Sequence, residues 1–215
     1  MNDALARKLQ GQLHDGIARL GLAGLPAAAE ERLLAYLALL VKWNAAYNLT
    51  AVRDPQQMLV KHLLDSLSIL PQVRGGTLID VGTGAGLPGM VLAIVKPDLR
   101  VTLLDSNGKK VRFLRQVIAE LKVGNAQAVQ ARVEDHDARY DVVTSRAFAT
   151  LADMLEWSGQ LAGEGGEFLA MKGQRPDAEI AALPAGYVVT EVLPLAVPFL
   201  DEERHLVRIV RGDTR

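Results

Sequence analysis

Along the first 74 or so residues the apolar positions recur every three or four places. Leu5, Leu9, Leu13, Ile17 and Leu20 make one stripe, which predicts a helix over 5–20. Pro26 interrupts it, and Leu33, Leu34, Leu37, Leu40 and Val41 predict a second helix over 28–46. A third is predicted over 55–70, with Asp54 as N-cap, Pro55 in the first helical position and Pro71 as the stop. From residue 77 the pattern changes to short β-rich runs alternating with helical ones. Strands are predicted at 77–81, 100–104, 126–130, 140–144, 166–171, 187–193 and 205–210. Helices are predicted from the turn after Val81 to about Val95, and over 109–121 and 151–161. Strand–helix alternation of this kind builds a parallel sheet with helices on both faces. The last two strands have no long helix between them and read as an antiparallel hairpin. The fold class expected is α/β, Rossmann-like: a mostly parallel seven-stranded sheet over 75–215, with an N-terminal helical segment over 1–74 packed on it.

Composition narrows the chemistry. The chain is 49% hydrophobic and 23% charged, as a folded protein should be. Its 24 basic and 25 acidic side chains nearly cancel, so any contact with nucleic acid needs a local patch. No cysteine is present, which excludes disulfides, thiolate metal sites and a cysteine nucleophile. His14, His62, His136 and His205 form no metal-ligand spacing, and no metal is expected. The longest apolar run, Leu33 to Val41, is far short of a membrane span. With no signal core at the N-terminus, a cytoplasmic protein without a membrane partner is expected.

Asp80-Val-Gly-Thr-Gly-Ala-Gly-Leu-Pro-Gly89 is the most informative stretch. It follows a predicted strand and opens a helix, with Pro88 suited to that helix's first turn. Gly82, Gly84 and Gly86 allow a sharp turn and close backbone approach to a ligand. Gly84-x-Gly86-x-x-Gly89 also satisfies the dinucleotide pattern, so a nicotinamide-dependent oxidoreductase is one reading. Asp80 favours another. A carboxylate there repels a pyrophosphate but suits the ammonium and sulfonium of S-adenosylmethionine, directly or through water. Asp105, at the end of the second strand, is placed for the ribose hydroxyls, and Glu134, after the third, lies near the adenine. The pattern resembles that of class I S-adenosylmethionine-dependent methyltransferases.

The fourth strand ends in Thr144-Ser-Arg-Ala-Phe148, without the acid-or-amide, diproline and aromatic motif with which many enzymes grip an exocyclic amine. There is also no cysteine to attack a pyrimidine. A target atom with a ready lone pair, such as guanine N7, is favoured, and no catalytic base is assigned. Leu40-Val-Lys-Trp-Asn44, Tyr47-Asn-Leu-Thr50, Lys61-His-Leu-Leu-Asp-Ser66, Val133-Glu134, Ser145-Arg-Ala-Phe148 and Met171-Lys-Gly173, together with the glycine turn, resemble the RsmG family, formerly glucose-inhibited division protein B. The resemblance runs from about residue 33 to 210. It implies a methyltransferase acting on guanine N7 in the 530 loop of 16S ribosomal RNA. It also implies cofactor contacts at Gly82, Leu87, Val133, Glu134 and Arg146. The RNA would be met alone, in the small ribosomal subunit or in an assembly intermediate. A non-catalytic RNA-binding assembly protein on the same scaffold is the remaining alternative.

Several residues carry two readings each. Lys109, Lys110 and Arg112 belong to a basic stretch (seven basic against three acidic residues over 96–122) that is either an RNA-facing patch or a solvated helix face. Arg146 reads as a partner for the cofactor carboxylate or an RNA phosphate, or as a surface ion pair. Lys172 is an RNA contact or a solvated lysine. His62 and Asp65, three apart on one helix face, pair structurally or border the substrate. Asn48 fixes a loop over the cofactor or serves turn chemistry. Trp43 and Tyr47, four apart, are core or base-stacking groups.

Overall fold

The computed structural model describes residues 3–26, 28–146 and 150–212. Two long helices open the chain, α1 (Asp3–Arg19) and α2 (Ala29–Tyr47). Leu33, Leu37, Leu40 and Asn44 of α2 are buried at helical spacing. The helix ends at Asn48, which turns left-handed at φ 50° and donates its N–H to Asn44 O. Asparagine tolerates that conformation better than most residues. The predicted third helix is composite. It runs as α3 (Pro55–Met58), a π-helical stretch Leu59–Leu64 and α4 (Asp65–Leu67). Asp54 caps it as expected, accepting from Gln57 N at 2.8 Å.

Seven strands follow: β1 (Thr77–Val81), β2 (Arg100–Asp105), β3 (Ala126–Gln130), β4 (Tyr140–Arg146), β5 (Ala162–Lys172), β6 (Tyr187–Pro194) and β7 (His205–Arg211). They form one sheet in the order β3-β2-β1-β4-β5-β7-β6. β1 to β5 pair in parallel, and β7 is antiparallel to both β5 and β6. The helices between them are α5 (Gly89–Val95), α6 (Gly108–Leu121), α7 (Leu151–Ser158) and α8 (Asp177–Ala181). α8 was not predicted, and α7 is shorter than expected, its last turn being a 3-10 turn over Gly159–Leu161. Pro88 stands just before α5 rather than in its first turn.

Both faces of the sheet are covered, so adjacent residues of one strand enter different cores. Leu78, Leu103, Val142 and Leu169 join a core with α1, α2, α5 and α6. Ile79, Leu104, Val143 and Phe168 join one with Leu151, Met154 and Leu155 of α7. Among the described residues no helix is long and apolar enough to cross a membrane. The carboxyl ends of β1 to β5 all lie along one edge, where a doubly wound sheet opens its ligand crevice.

Candidate active site

Beyond β1 the chain enters the glycine turn with φ of 64° at Gly82, 61° at Gly84 and 98° at Gly86. L-residues rarely adopt such angles. The glycines then part company. A Cβ on Gly84 would stand in open space, with only Gly82 O nearby at 3.9 Å. A Cβ on Gly86 would press to 2.8 Å from Leu114 and 2.9 Å from Met90. Gly84 therefore leaves room for a ligand, whereas Gly86 is buried and serves packing.

Asp80 is fully buried and does not face solvent. Its Oδ2 accepts from Thr83 Oγ1 (2.6 Å) and Gly89 N (2.8 Å), tying the turn to the start of α5. Its Oδ1 has no hydrogen-bond partner among the described residues. Burial pushes its carboxyl up to about 6, against the pull of those two hydrogen bonds. The direct or water-bridged contact expected of it is not built here, because no surface of the residue is open. Asp105, at the end of β2, accepts from Gly84 N and Asn107 N, both at 2.9 Å. Lys110 Nζ lies 3.7 Å from it.

A cleft of about 250 Å³ opens between these elements, lined by Gly82, Leu104, Asp105, Ala131, Val133, Glu134 and Trp157 among others. Val133 and Glu134 reach it from a 3-10 turn after β3. Thus Gly82, Asp105, Val133 and Glu134 line one cleft. Leu87 does not line the cleft; it is buried in the core beneath the turn. Trp157, from the end of α7, forms a wall the sequence did not announce. Tyr36 of α2 is another such residue: its hydroxyl donates to Ala85 O at 2.7 Å and braces the turn from below.

Arg146 does not line this cleft. Its Nη1 donates to Lys61 O (2.7 Å) and to Asp65 Oδ2 (3.0 Å), and Nη2 lies 3.4 Å from His62 Nδ1. It lines a second cleft, about 460 Å³, with Val52, Lys61, His62, Asp65, Met171, Lys172, Gly173, Glu202 and Arg204. His62 and Asp65 thus meet through Arg146. Buried Asp65 also faces Arg204 Nε at 3.3 Å. Burial, reinforced by Arg146, pushes His62 down to about 4, and its Nε2 contacts Thr50 Oγ1 at 2.9 Å. Lys172 Nζ donates to Glu179 Oε2 at 2.8 Å. Lys61 and Arg204 hold the Glu202 carboxyl below the usual range. Glu202 and Arg204 come from the connection between β6 and β7, where no local signal marks them. Asn48 serves the turn and accepts from Arg53 Nη2 at 2.6 Å. Lys109 and Arg112 are exposed on α6. Trp43 stacks on Tyr47 at 5.2 Å and tilts against Phe113 at 5.7 Å, so it belongs to the helix layer. Ala147 and Phe148 of the Ser145-Arg-Ala-Phe148 motif lie outside the described residues.

The family model described as GidB, rRNA small subunit methyltransferase G, matches residues 29–207, from the start of α2 into β7. The chain belongs to this family. The ribosomal RNA small subunit methyltransferase G of Cronobacter sakazakii is 58% identical over 185 residues, 85% of this chain and 89% of its own. The protein of the same name from Xanthomonas euvesicatoria is 53% identical over 215 residues, 99% of this chain and 100% of its own. In fold, this family member resembles the crystal structure of magnesium protoporphyrin IX methyltransferase from Synechocystis PCC 6803 with bound SAM. The TM-score is 0.61 at 17% identity, over 82% of this chain and 97% of that one. The glycopeptide N-methyltransferase MtfA gives the same TM-score at 15% identity, over 74% and 100%.

Proposed function

We propose that the protein methylates N7 of a guanine in the 530 loop of 16S ribosomal RNA, with S-adenosylmethionine as methyl donor. Membership of a small-subunit rRNA methyltransferase family carries the reaction class and the RNA. The cofactor is supported by fit. Gly84, with open space where its Cβ would stand, is tied through its N–H to Asp105, which lines the cleft with Glu134. Such a wall suits ribose hydroxyls and an amino-bearing base. When bound, S-adenosylmethionine supplies a methyl group activated by a sulfonium.

The residues of the chain then have modest tasks. Asp105 accepts from hydroxyls while Gly84 N holds its other side. Val133 and Leu104 bury an apolar face of the ligand, and Trp157 closes it from α7. The second cleft, rich in cations, receives RNA. Nothing in it needs to take a proton. Guanine N7 bears none, so its lone pair can accept the methyl group directly and leave a cationic base. His62, pushed down to about 4 by burial, is a weak base, and this reading asks no proton transfer of it. Catalysis is then chiefly positioning.

The cationic product supplies the test. RNA incubated with the protein and S-adenosylmethionine, then reduced and treated with aniline, should break at one guanine. Methylated RNA that resists this cleavage excludes N7 as the target atom.

A further inference from the structure

The second cleft contains a row of polar atoms that the methyl transfer itself leaves unused. Lys61 Nζ donates to Glu202 Oε1 at 2.6 Å, and Glu202 Oε2 accepts from Arg204 Nη2 at 2.8 Å. All three residues line the cleft. The Glu202 side chain is 51% exposed and that of Lys61 33% exposed, and ion pairs so open to water add little to stability. Yet the carboxylate is held from both sides. Arg204, which orients it, is in turn fixed by buried Asp65. Each Glu202 oxygen retains a lone pair, and the lysine retains N–H groups for a further partner.

Across the cleft the row reads donor, acceptor, acceptor: Lys61 Nζ, Glu202 Oε1, Glu202 Oε2. Guanine is the one common RNA base whose Watson–Crick edge is the complement, with O6 accepting and N1–H and the N2 amine donating. Adenine would set its N1 lone pair against a carboxylate. Cytosine would do the same with N3, and uracil with O2. A base in a single-stranded RNA loop offers that edge freely. The target atom adds a constraint. An arginine fork on O6 and N7 is the commonest protein contact to guanine in duplex DNA, but it would cover the nucleophile. Recognition has to come from another edge.

We propose that Lys61 and Glu202 read the Watson–Crick edge of the target guanine, Lys61 on O6 and Glu202 on N1–H and the N2 amine, leaving N7 open to methylation. This rests on the reading that guanine N7 is the methylated atom. Glu202 is then a specificity-determining residue, with Arg204 and Asp65 as positioning residues behind it.

Small-subunit RNA carrying guanosine or inosine at the target position tests the assignment. Inosine keeps N7, O6 and N1–H and lacks only the N2 amine. In single-turnover methyl transfer the parent should prefer guanosine by roughly tenfold or more, the worth of one hydrogen bond to a charged acceptor. Glu202→Ala should slow guanosine methylation by roughly 10- to 100-fold and bring the guanosine-to-inosine ratio near one. Its affinity for S-adenosylhomocysteine and its thermal midpoint should match the parent. If the variant turns over too slowly to time, competition between the two RNAs for binding in the presence of S-adenosylhomocysteine reads the same ratio. A parent-like ratio in Glu202→Ala overturns the proposal, and the N7 reading survives as long as the parent's product breaks after reduction and aniline. A parent product resistant to that cleavage overturns the N7 reading, and this proposal with it.

Discussion

Asp80 holds the glycine turn from a fully buried position. An acid raised to about 6 in the folded chain, against about 4 unfolded, favours folding fully only below the lower value. That contribution is lost as pH rises through 4 to 6, so at neutral pH the ionised carboxylate strains the fold rather than supporting it. A ligand bearing an ammonium relieves this, because it favours the ionised form. S-adenosylhomocysteine should therefore bind with release of a proton when pH lies below about 6. Its affinity should fall by up to tenfold per pH unit there and stay flat above neutrality. Calorimetry across this range, in two buffers of different ionisation enthalpy, measures both effects. In Asp80→Asn the pH dependence should disappear. Affinity in the parent that is independent of pH would mean that the ligand's charge does not feel Asp80.

Elements differ in how openly the sequence announces them. β1 matches its apolar run residue for residue, because a strand buried on both faces has no other pattern to show, and β3 keeps its expected bounds although its residues are at most partly buried. The glycine turn was equally legible, since positive φ at Gly82, Gly84 and Gly86 leaves few alternatives to glycine. The π-helical stretch Leu59–Leu64 was hidden, as local spacing there still reads as an α-helix. α8 was missed because none of its residues is fully buried, so it leaves no apolar stripe. Glu202 and Arg204 were out of reach for a topological reason. β7 inserts between β5 and β6, and only that pairing carries the preceding loop back to Lys61 and Asp65. α6 was anticipated well, and its outer face makes a prediction. Asn107 caps it, and Lys110 leans toward Asp105, but Lys109 and Arg112 point to solvent. If they meet RNA phosphates, replacing both with Ala should reduce the slope of log affinity against log salt by about 1.4, at ~0.7 per contact with single-stranded RNA. S-adenosylhomocysteine affinity should not change. A slope equal to the parent's in filter binding would make this face merely solvated.

At the scale of the whole molecule, the helical segment and the sheet meet in a shared interior. Leu9, Leu13 and Ile17 of α1 and Leu33, Leu37 and Leu40 of α2 belong to the same core as Leu92, Val95, Leu103 and Leu114. Polar ties cross the same boundary. Tyr36 supports Ala85, Arg32 Nη2 donates to Leu121 O and Lys122 O at 3.0 Å each, and Arg19 sits 4.8 Å over the Phe199 ring. Every residue of α5 is buried. Removing residues 1–74 would strip one side of that helix. Exposing only three of its large apolar side chains, at about 1.5–3 kcal/mol each, costs an amount comparable to the whole net stability of a domain, about 5–15 kcal/mol. The first 74 residues therefore act as part of the folding unit, and the glycine turn depends on them for its support. A fragment spanning 75–215 should show no cooperative thermal transition by circular dichroism and no measurable S-adenosylhomocysteine binding, whereas the full chain should melt in one transition that the ligand moves upward. Cooperative melting of the fragment with ligand affinity near that of the full chain would mean two independent folding units, with the turn braced by the sheet alone.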